Sequence, residues 1–428
     1  MIARLKLLIV ALVLLLSATM VGAAQNGPVT ISFPWWVGGG TSGSDMWFKQ
    51  AVDSFNEQYA NQYKLDIEFL PGQAAYIEKM KSIFATGKLP PLVTLKRDPT
   101  LAQLWVDQDL LVDLTPYFDS SPAWQALSIK DSVELNTING KLVAAPDAFL
   151  TPIGLFYNME LLGKAGVTAV PTTLDEFFNT LEKLKAAGIP AISLHTQDTG
   201  WSAMLVFESL LAQTPQGIEF MDTKDPDSFN KPFVIDALKN LQRVLQFTTA
   251  DAIGAPFSIA ANNFLSEKTA IMPNGPWMIA DFRNPDKAAA GFGDKLASAL
   301  YPGNVAVADT GRQLGEYAAV KGYSQEVTDG VVAFAKHMRS AAVLRARVIQ
   351  LGSTAPNLAL TDADKEQIDP LAVQLIDLVQ RENPPILANF QAQWNSTIQN
   401  ETIVQGLPQL ALGNITPEEF AQMLTDAL

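Results

Sequence analysis

The segment Val29–Leu70 limits the possible folds of this chain more than any other. Val29–Pro34 (VTISFP) and Leu65–Leu70 (LDIEFL) alternate as strands do, and between them Met46, Phe48, Val52 and Phe55 give Asp45–Tyr59 helical spacing. Strand, helix, strand in that order is a βαβ unit, whose crossover makes the two strands parallel. A second alternation follows. Thr173–Ala187 reads as helix and Ala191–Leu194 as strand, with Gly188-Ile189-Pro190 as the stop between them. Glu176, placed after Thr172 or Thr173, has the form of a capping box. The last third is helical in pattern, from Gln325 to Ile349 and again from Asp364 to Arg381. The fold class is α/β.

A chain of 428 residues exceeds one ordinary core, so two domains are expected. Gly140–Phe156 is apolar, carries two prolines and lacks helical spacing, and so reads as extended chain. Gly315–Val320 is a second extended segment far along the sequence. Two such crossovers predict two α/β lobes built from discontinuous pieces, residues 25–149 with 317–355 and residues 150–316 with 356–428. A cleft between lobes is where a ligand would sit.

Residues 1–24 read as a cleavable leader. Arg4 and Lys6 precede an unbroken apolar run, Leu7–Leu16, and the small residues at Val21–Ala24 suit cleavage after Ala23 or Ala24. The run is shorter than the roughly 20 residues that span a bilayer, and no later segment is longer. The chain is expected to work in the periplasm or as a secreted protein, not as a membrane-spanning one. It has no cysteine, which excludes disulfides, thiolate metal sites and a lipid anchor on an N-terminal Cys. Its 30 Lys and Arg against 44 Asp and Glu, a net charge of −14, repel nucleic acid and anionic lipid.

Several motifs follow one another in order along the chain. Trp35-Trp36 ends the first strand before Gly38-Gly39-Gly40, and Ala85-Thr86-Gly87 precedes Pro90-Pro91. Leu110–Thr115 (LLVDLT), Asn139-Gly140-Lys141 and Tyr157-Asn158 come next. Thr269-Ala270-Ile271-Met272 with Asn274-Gly275-Pro276-Trp277 follows, and Gly413–Phe420 (GNITPEEF) closes the series. In this order and spacing the chain resembles the extracellular solute-binding proteins of bacterial ABC sugar importers, maltodextrin-binding proteins among them. Pro91 departs from the pattern, which has Asp there. The resemblance implies a two-lobed periplasmic-binding-protein fold, a carbohydrate ligand captured by hinge closure, delivery to the transmembrane subunits of an ABC permease, and a monomer.

Sugars have apolar C–H ring faces and hydroxyl edges, so a site for them needs aromatic platforms beside amides and carboxylates. Trp277, after its Gly-Pro turn and beside Asn274, aligns with a family position that stacks a sugar. Trp36 sits beside three glycines that permit close backbone approach; Trp35 and Trp36 point to opposite faces of a continuing strand, so one of them is core. Asp98 follows the strand-like Leu92–Leu95, where related binders keep an Asp on sugar hydroxyls. Asp147, Phe149 and Thr151 lie on the expected crossover; maltodextrin binders have Glu where Thr151 aligns, so a charged ligand contact is lost. Asp198 and Trp201 occupy a loop where the family places an acid and an aromatic, and Trp394 aligns with a further stacking position. Trp47, Trp105 and Trp124 read as packing residues. Lys96 and Arg97 are the basic residues nearest the expected site and the sole hint of an anionic ligand.

Catalytic signatures are sparse. His195 and His337 lack ligand-spaced partners, and no GxSxG, P-loop or dinucleotide fingerprint occurs in context. No cofactor, metal ligand or catalytic residue is assigned. The reading is a binding protein and not an enzyme, set against two alternatives. A secreted glycosidase would need two carboxylates facing one sugar, and a surface lectin would have a shallow site and no hinge.

Overall fold

The computed structural model describes residues 27–40, 42–96, 98–223, 226–308 and 311–428; the leader and Arg97 lie outside them. The chain enters as β1 (Val29–Trp35), α1 (Gly43–Gln58) and β2 (Tyr63–Phe69), with β1 and β2 parallel in the register Val29 to Tyr63 through Trp35 to Phe69. Ser42 and Asp45 form a reciprocal capping box that starts α1. Helix α2 (Gln73–Ala85) and the short β3 (Leu92–Val93) follow.

The chain then crosses into a second body. β4 (Pro152–Asn158) is buried along its whole length. Helix α3 (Leu174–Ala186) starts at Thr173, whose hydroxyl accepts from the Glu176 amide while Glu176 reaches back. Helix α4 (Trp201–Leu211) is buried almost throughout. β5 (Ile271–Asn274), β6 (Leu296–Ala299) and β7 (Ala306–Ala308) all pair antiparallel with β4. The chain next returns to the first body through β8 (Ala318–Ala319), antiparallel to β3, then α5 (Gln325–Met338) and α6 (Ala341–Leu351). Then α7 (Pro370–Glu382) and β9 (Ile386–Ala388), parallel to β7, return to the second body, which the C-terminal helices Ile403–Leu412 and Pro417–Asp426 complete.

Packing follows this double visit. One apolar core joins Ile31–Ala145 side chains, among them Phe33, Phe48 and Phe55, to Tyr317, Phe334 and Leu351. Another joins Ile153–Val307 side chains to Leu387, Trp394, Leu407 and Phe420. The crossovers touch each other where the bodies meet. Leu150 bridges Thr354, and the Thr151 and Ser353 hydroxyls lie 2.7 Å apart in the interior. Helix α6 serves both sides: Val343 and Leu351 pack in the first core, while Val348 packs with Phe282 and Leu371 on the other.

Three local expectations are corrected. Ala191–Leu194 is not a full strand but makes one parallel bridge, Ile192 to Ile271; the Ser193 amide still bonds the Ile271 carbonyl, and the pairing stops at Leu194, whose amide bonds the Thr248 hydroxyl instead. The helical run from Gln325 breaks at Arg339-Ser340, where Ser340 caps α6. The run from Asp364 is also two helices: Pro370 has no N–H to continue a ladder, so α7 begins there under the Asp369 cap.

Gly154 marks the tightest strand approach. A Cβ there would lie 2.2 Å from the Ala299 carbonyl oxygen, whereas Gly163 on the Met159–Lys164 helix has open space. Gly154→Ala is therefore expected to destabilise by about 1–3 kcal/mol through forced overpacking. Gly163→Ala is expected to stabilise by about 0.5–1 kcal/mol through helix propensity. Paired urea unfolding curves check both.

Candidate ligand-binding cleft

A cavity of about 660 Å³ lies between the two bodies. Its first wall comes from the end of β1. Trp35 is 3 % exposed and sits in the core, while half-buried Trp36 faces the cleft with its ring 4.1 Å from Trp35 and 5.0 Å from Tyr76 of α2. The expectation that the pair points to opposite faces is corrected: β1 ends at Trp35, the two rings pack against each other, and buried Trp35 borders the cavity as well.

The opposite wall holds Trp201 and Trp277, 5.9 Å apart and tilted by 42°. The Trp277 ring folds back over Gly275, where a Cβ would lie 2.1 Å from it, so only glycine permits that pose. Buried Asn274 shapes the turn by accepting from the Gly275 amide at 2.8 Å. Trp201 opens α4 after Asp198, Thr199 and Gly200, which run left-handed with φ of 52°, 68° and 59°. A β-branched residue there is strained, and such strain persists only where its surroundings enforce it. Leu407 closes against Gly200, and the Asp198 carboxylate accepts from the Phe257 amide at 3.1 Å.

Charge collects on the floor. Lys96 Nζ lies 2.6 Å from Glu316 Oε1 with both side chains largely out of solvent. Behind them Arg339, fully buried, bonds Asp147 at 2.7 Å and approaches Glu316 Oε2 at 3.8 Å. Arg347 also lines the cleft, its guanidinium 4.5 Å from the Trp47 ring and 3.8 Å from the Phe149 ring. Burial alone would raise the Glu316 carboxyl, but Lys96, Arg339 and Arg347 outweigh it and hold it down to about 2. Burial pushes the Asp147 carboxyl up, against the pull of Arg339. Across the cleft, Gln391 donates to Gln73 at 3.3 Å.

Of the residues expected from sequence, Trp36, Asp198, Trp201 and Trp277 converge on this cavity. The other six do not line it. Asp98 is buried as the N-cap of the Pro99–Asp107 helix, accepting from the Leu101 amide at 2.9 Å, and burial pushes its carboxyl up. Asp147 is committed to Arg339 and to the Gly311 amide. Phe149 lies one layer deeper, under Arg347. Thr151 belongs to the crossover contact with Ser353. Asn274 acts through its turn. Trp394 is in the second core against Phe229 and Phe390, not in the cleft, because the Phe390–Gln393 helix ends just before it and turns it inward.

Trp47, expected to be packing only, packs and also lines the cleft. Sequence reasoning passed over Glu316, Arg347, Gln73 and Gln391. The one signal pointing toward Glu316 was its place in the extended segment Gly315–Val320. Among the described residues, no group of three His, Asp or Glu could hold a metal ion, and no helix is long and apolar enough to cross a membrane.

The cations around Glu316 favour the ionised form of its carboxyl. The same depression sets a pH dependence. A folded pKa below the ordinary 4.5 adds stability that is present above that value and lost as pH falls toward about 2. The acid-side loss of stability is expected to be shallower in Glu316→Gln than in the wild type, read from urea unfolding between these limits.

The model of the family described as bacterial extracellular solute-binding protein matches residues 50–372, most of the chain. The xylose/arabinose-binding protein XacG of Haloferax volcanii is 25% identical over 170 residues, covering 38% of this chain and 37% of that protein. The chain thus spans little more than a third of this curated relative. Among solved structures, a chitin oligosaccharide binding protein superposes with a TM-score of 0.76 at 19% identity, covering 93% of this chain and 98% of the other. A solute-binding protein of Streptococcus pneumoniae, in complex with the blood group A-trisaccharide, superposes with a TM-score of 0.75, also at 19% identity with 93% and 98% covered. The fold is that of these two-lobed proteins, and the chain belongs to the bacterial extracellular solute-binding proteins.

Proposed function

We propose that this protein captures a saccharide in the cleft between its lobes and delivers it to the permease of an ABC importer, outside the cytoplasm and as a monomer. One observation carries the reading: Trp36, Trp201 and Trp277, from three separate stretches of chain, present half-buried rings to one cavity. Ring faces supply the apolar stacking that C–H faces need, and Asp198, Lys96, Glu316 and Gln73 supply partners for hydroxyl edges. The lobes proposed to move are 25–149 with 317–355 and 150–316 with 356–428. Ligand contacts from both sides favour the shut form, because a ligand shifts the equilibrium by its differential affinity. The Gln73–Gln391 contact is an existing tie of this kind. The sugars bound by the similar proteins give the first panel.

A thermal-shift screen of residues 25–428 against xylose, arabinose, xylobiose, chitin oligosaccharides and the blood group A-trisaccharide tests the reading. One member is expected to raise the melting temperature saturably. Trp277→Ala is expected to weaken that ligand tenfold or more, about 1.4 kcal/mol, with the fold retained. No shift with any saccharide, or a shift unaffected by Trp277→Ala, overturns it.

A further inference from the structure

The floor of the cleft holds two charged groups whose hydrogen-bonding capacity is only partly used. The Lys96 side chain is 2 % exposed, and among the described residues Nζ bonds one protein atom, Glu316 Oε1. An ammonium carries three donors, so two remain. Glu316 Oε2 has Arg339 at 3.8 Å, beyond hydrogen-bonding distance. Both residues line the cavity. Buried charges left this way are costly unless something completes their bonding.

Behind the pair, two arginines are already engaged. Arg339 is engaged by the Pro146 carbonyl at 3.0 Å and by Asp147 at 2.7 Å. Arg347 is held between the Trp47 and Phe149 rings. Lys96 and Glu316 border the cavity, so their unused bonding capacity is open to a ligand from the cleft side.

We propose that Lys96 and Glu316 together read two adjacent hydroxyls of an uncharged sugar ring and set the charge specificity of the cleft, rejecting uronates and amino sugars at that ring. The inference rests on the saccharide reading above. One hydroxyl oxygen accepts from Lys96 Nζ, and its neighbour donates to Glu316 Oε2. A sugar carboxylate would satisfy Lys96 but lie against the Glu316 carboxylate. A sugar ammonium would satisfy Glu316 but lie against Lys96. Neither charge can be quenched cheaply where both side chains are almost wholly buried, and rejection by an unpaired or repelled charge adds to specificity. With its carboxyl held down to about 2, Glu316 remains an acceptor at neutral pH. Lys96, a hint of an anionic ligand in the sequence, is already neutralised.

Isothermal titration at neutral pH tests this with the neutral panel above, digalacturonate, and the glucosamine dimer. The wild type is expected to bind a neutral member and to bind both charged disaccharides at least a hundredfold more weakly. Glu316→Gln, which leaves Lys96 uncompensated, is expected to weaken the neutral ligand at least tenfold and to tighten digalacturonate at least tenfold. Damage to the fold cannot produce that gain. If Glu316→Gln does not fold, Lys96→Gln is read in its place, with the gain expected for the glucosamine dimer. Digalacturonate or the glucosamine dimer binding the wild type as tightly as neutral sugars, and depending on Trp277, overturns this inference and leaves the saccharide reading standing. So does a folded Glu316→Gln whose neutral affinity stays within twofold. No binding by any saccharide, charged or neutral, overturns both.

Discussion

The arrangement of the cleft depends on one buried run of charge. Asp147 holds the Gly311 amide with one oxygen and Arg339 with the other, so two chain crossovers are tied through a single side chain. Arg339 stands next to Glu316, and Glu316 is paired with Lys96 at the cavity floor. Isolated charges at such depth would cost several kcal/mol each, and the run exists because every member has an opposite neighbour. Such a network is a poor source of net stability but a good source of definition. It admits one relative placement of segments near residues 96, 147, 316 and 339, where an apolar core would tolerate several. The aromatic walls are built out from that fixed floor.

Local chemistry made part of this legible. The βαβ entry was readable because strand alternation, helical spacing and capping are written within a few residues of each other. The Thr173–Glu176 cap was readable for the same reason. Trp36 and Trp277 could be singled out because glycines beside them announce close approach, and at Gly275 the ring does lie where any side chain would be. Trp201 followed from its loop position in the resembled family.

The partners of those residues were not legible. Lys96 and Glu316 are 220 positions apart, and Asp147 and Arg339 are 192 apart, so no window of sequence relates them. Asp98 and Asp147 misled because an acid near a site has the same composition whether it faces a ligand, caps a helix or answers an arginine. Trp394 misled because a Trp beside a short helix carries no local mark of which way it turns. Helix boundaries at Arg339-Ser340 and Pro370 were missed because periodicity continued across them while capping did not.

Helix α6 has one face in each hydrophobic body. Pulling either body away from it would expose apolar surface at roughly 25 cal/mol per Å². Nearby, Gly43 at the start of α1 sits so close to the Trp277 carbonyl that a Cβ would lie 3.0 Å from it. Separation by translation would break both contacts at once, while rotation about the helix keeps its two faces covered. Helix α6 and the close approach of Gly43 thus fasten the two bodies to each other beside Trp277, so the wall that carries this ring is the one most firmly joined to both.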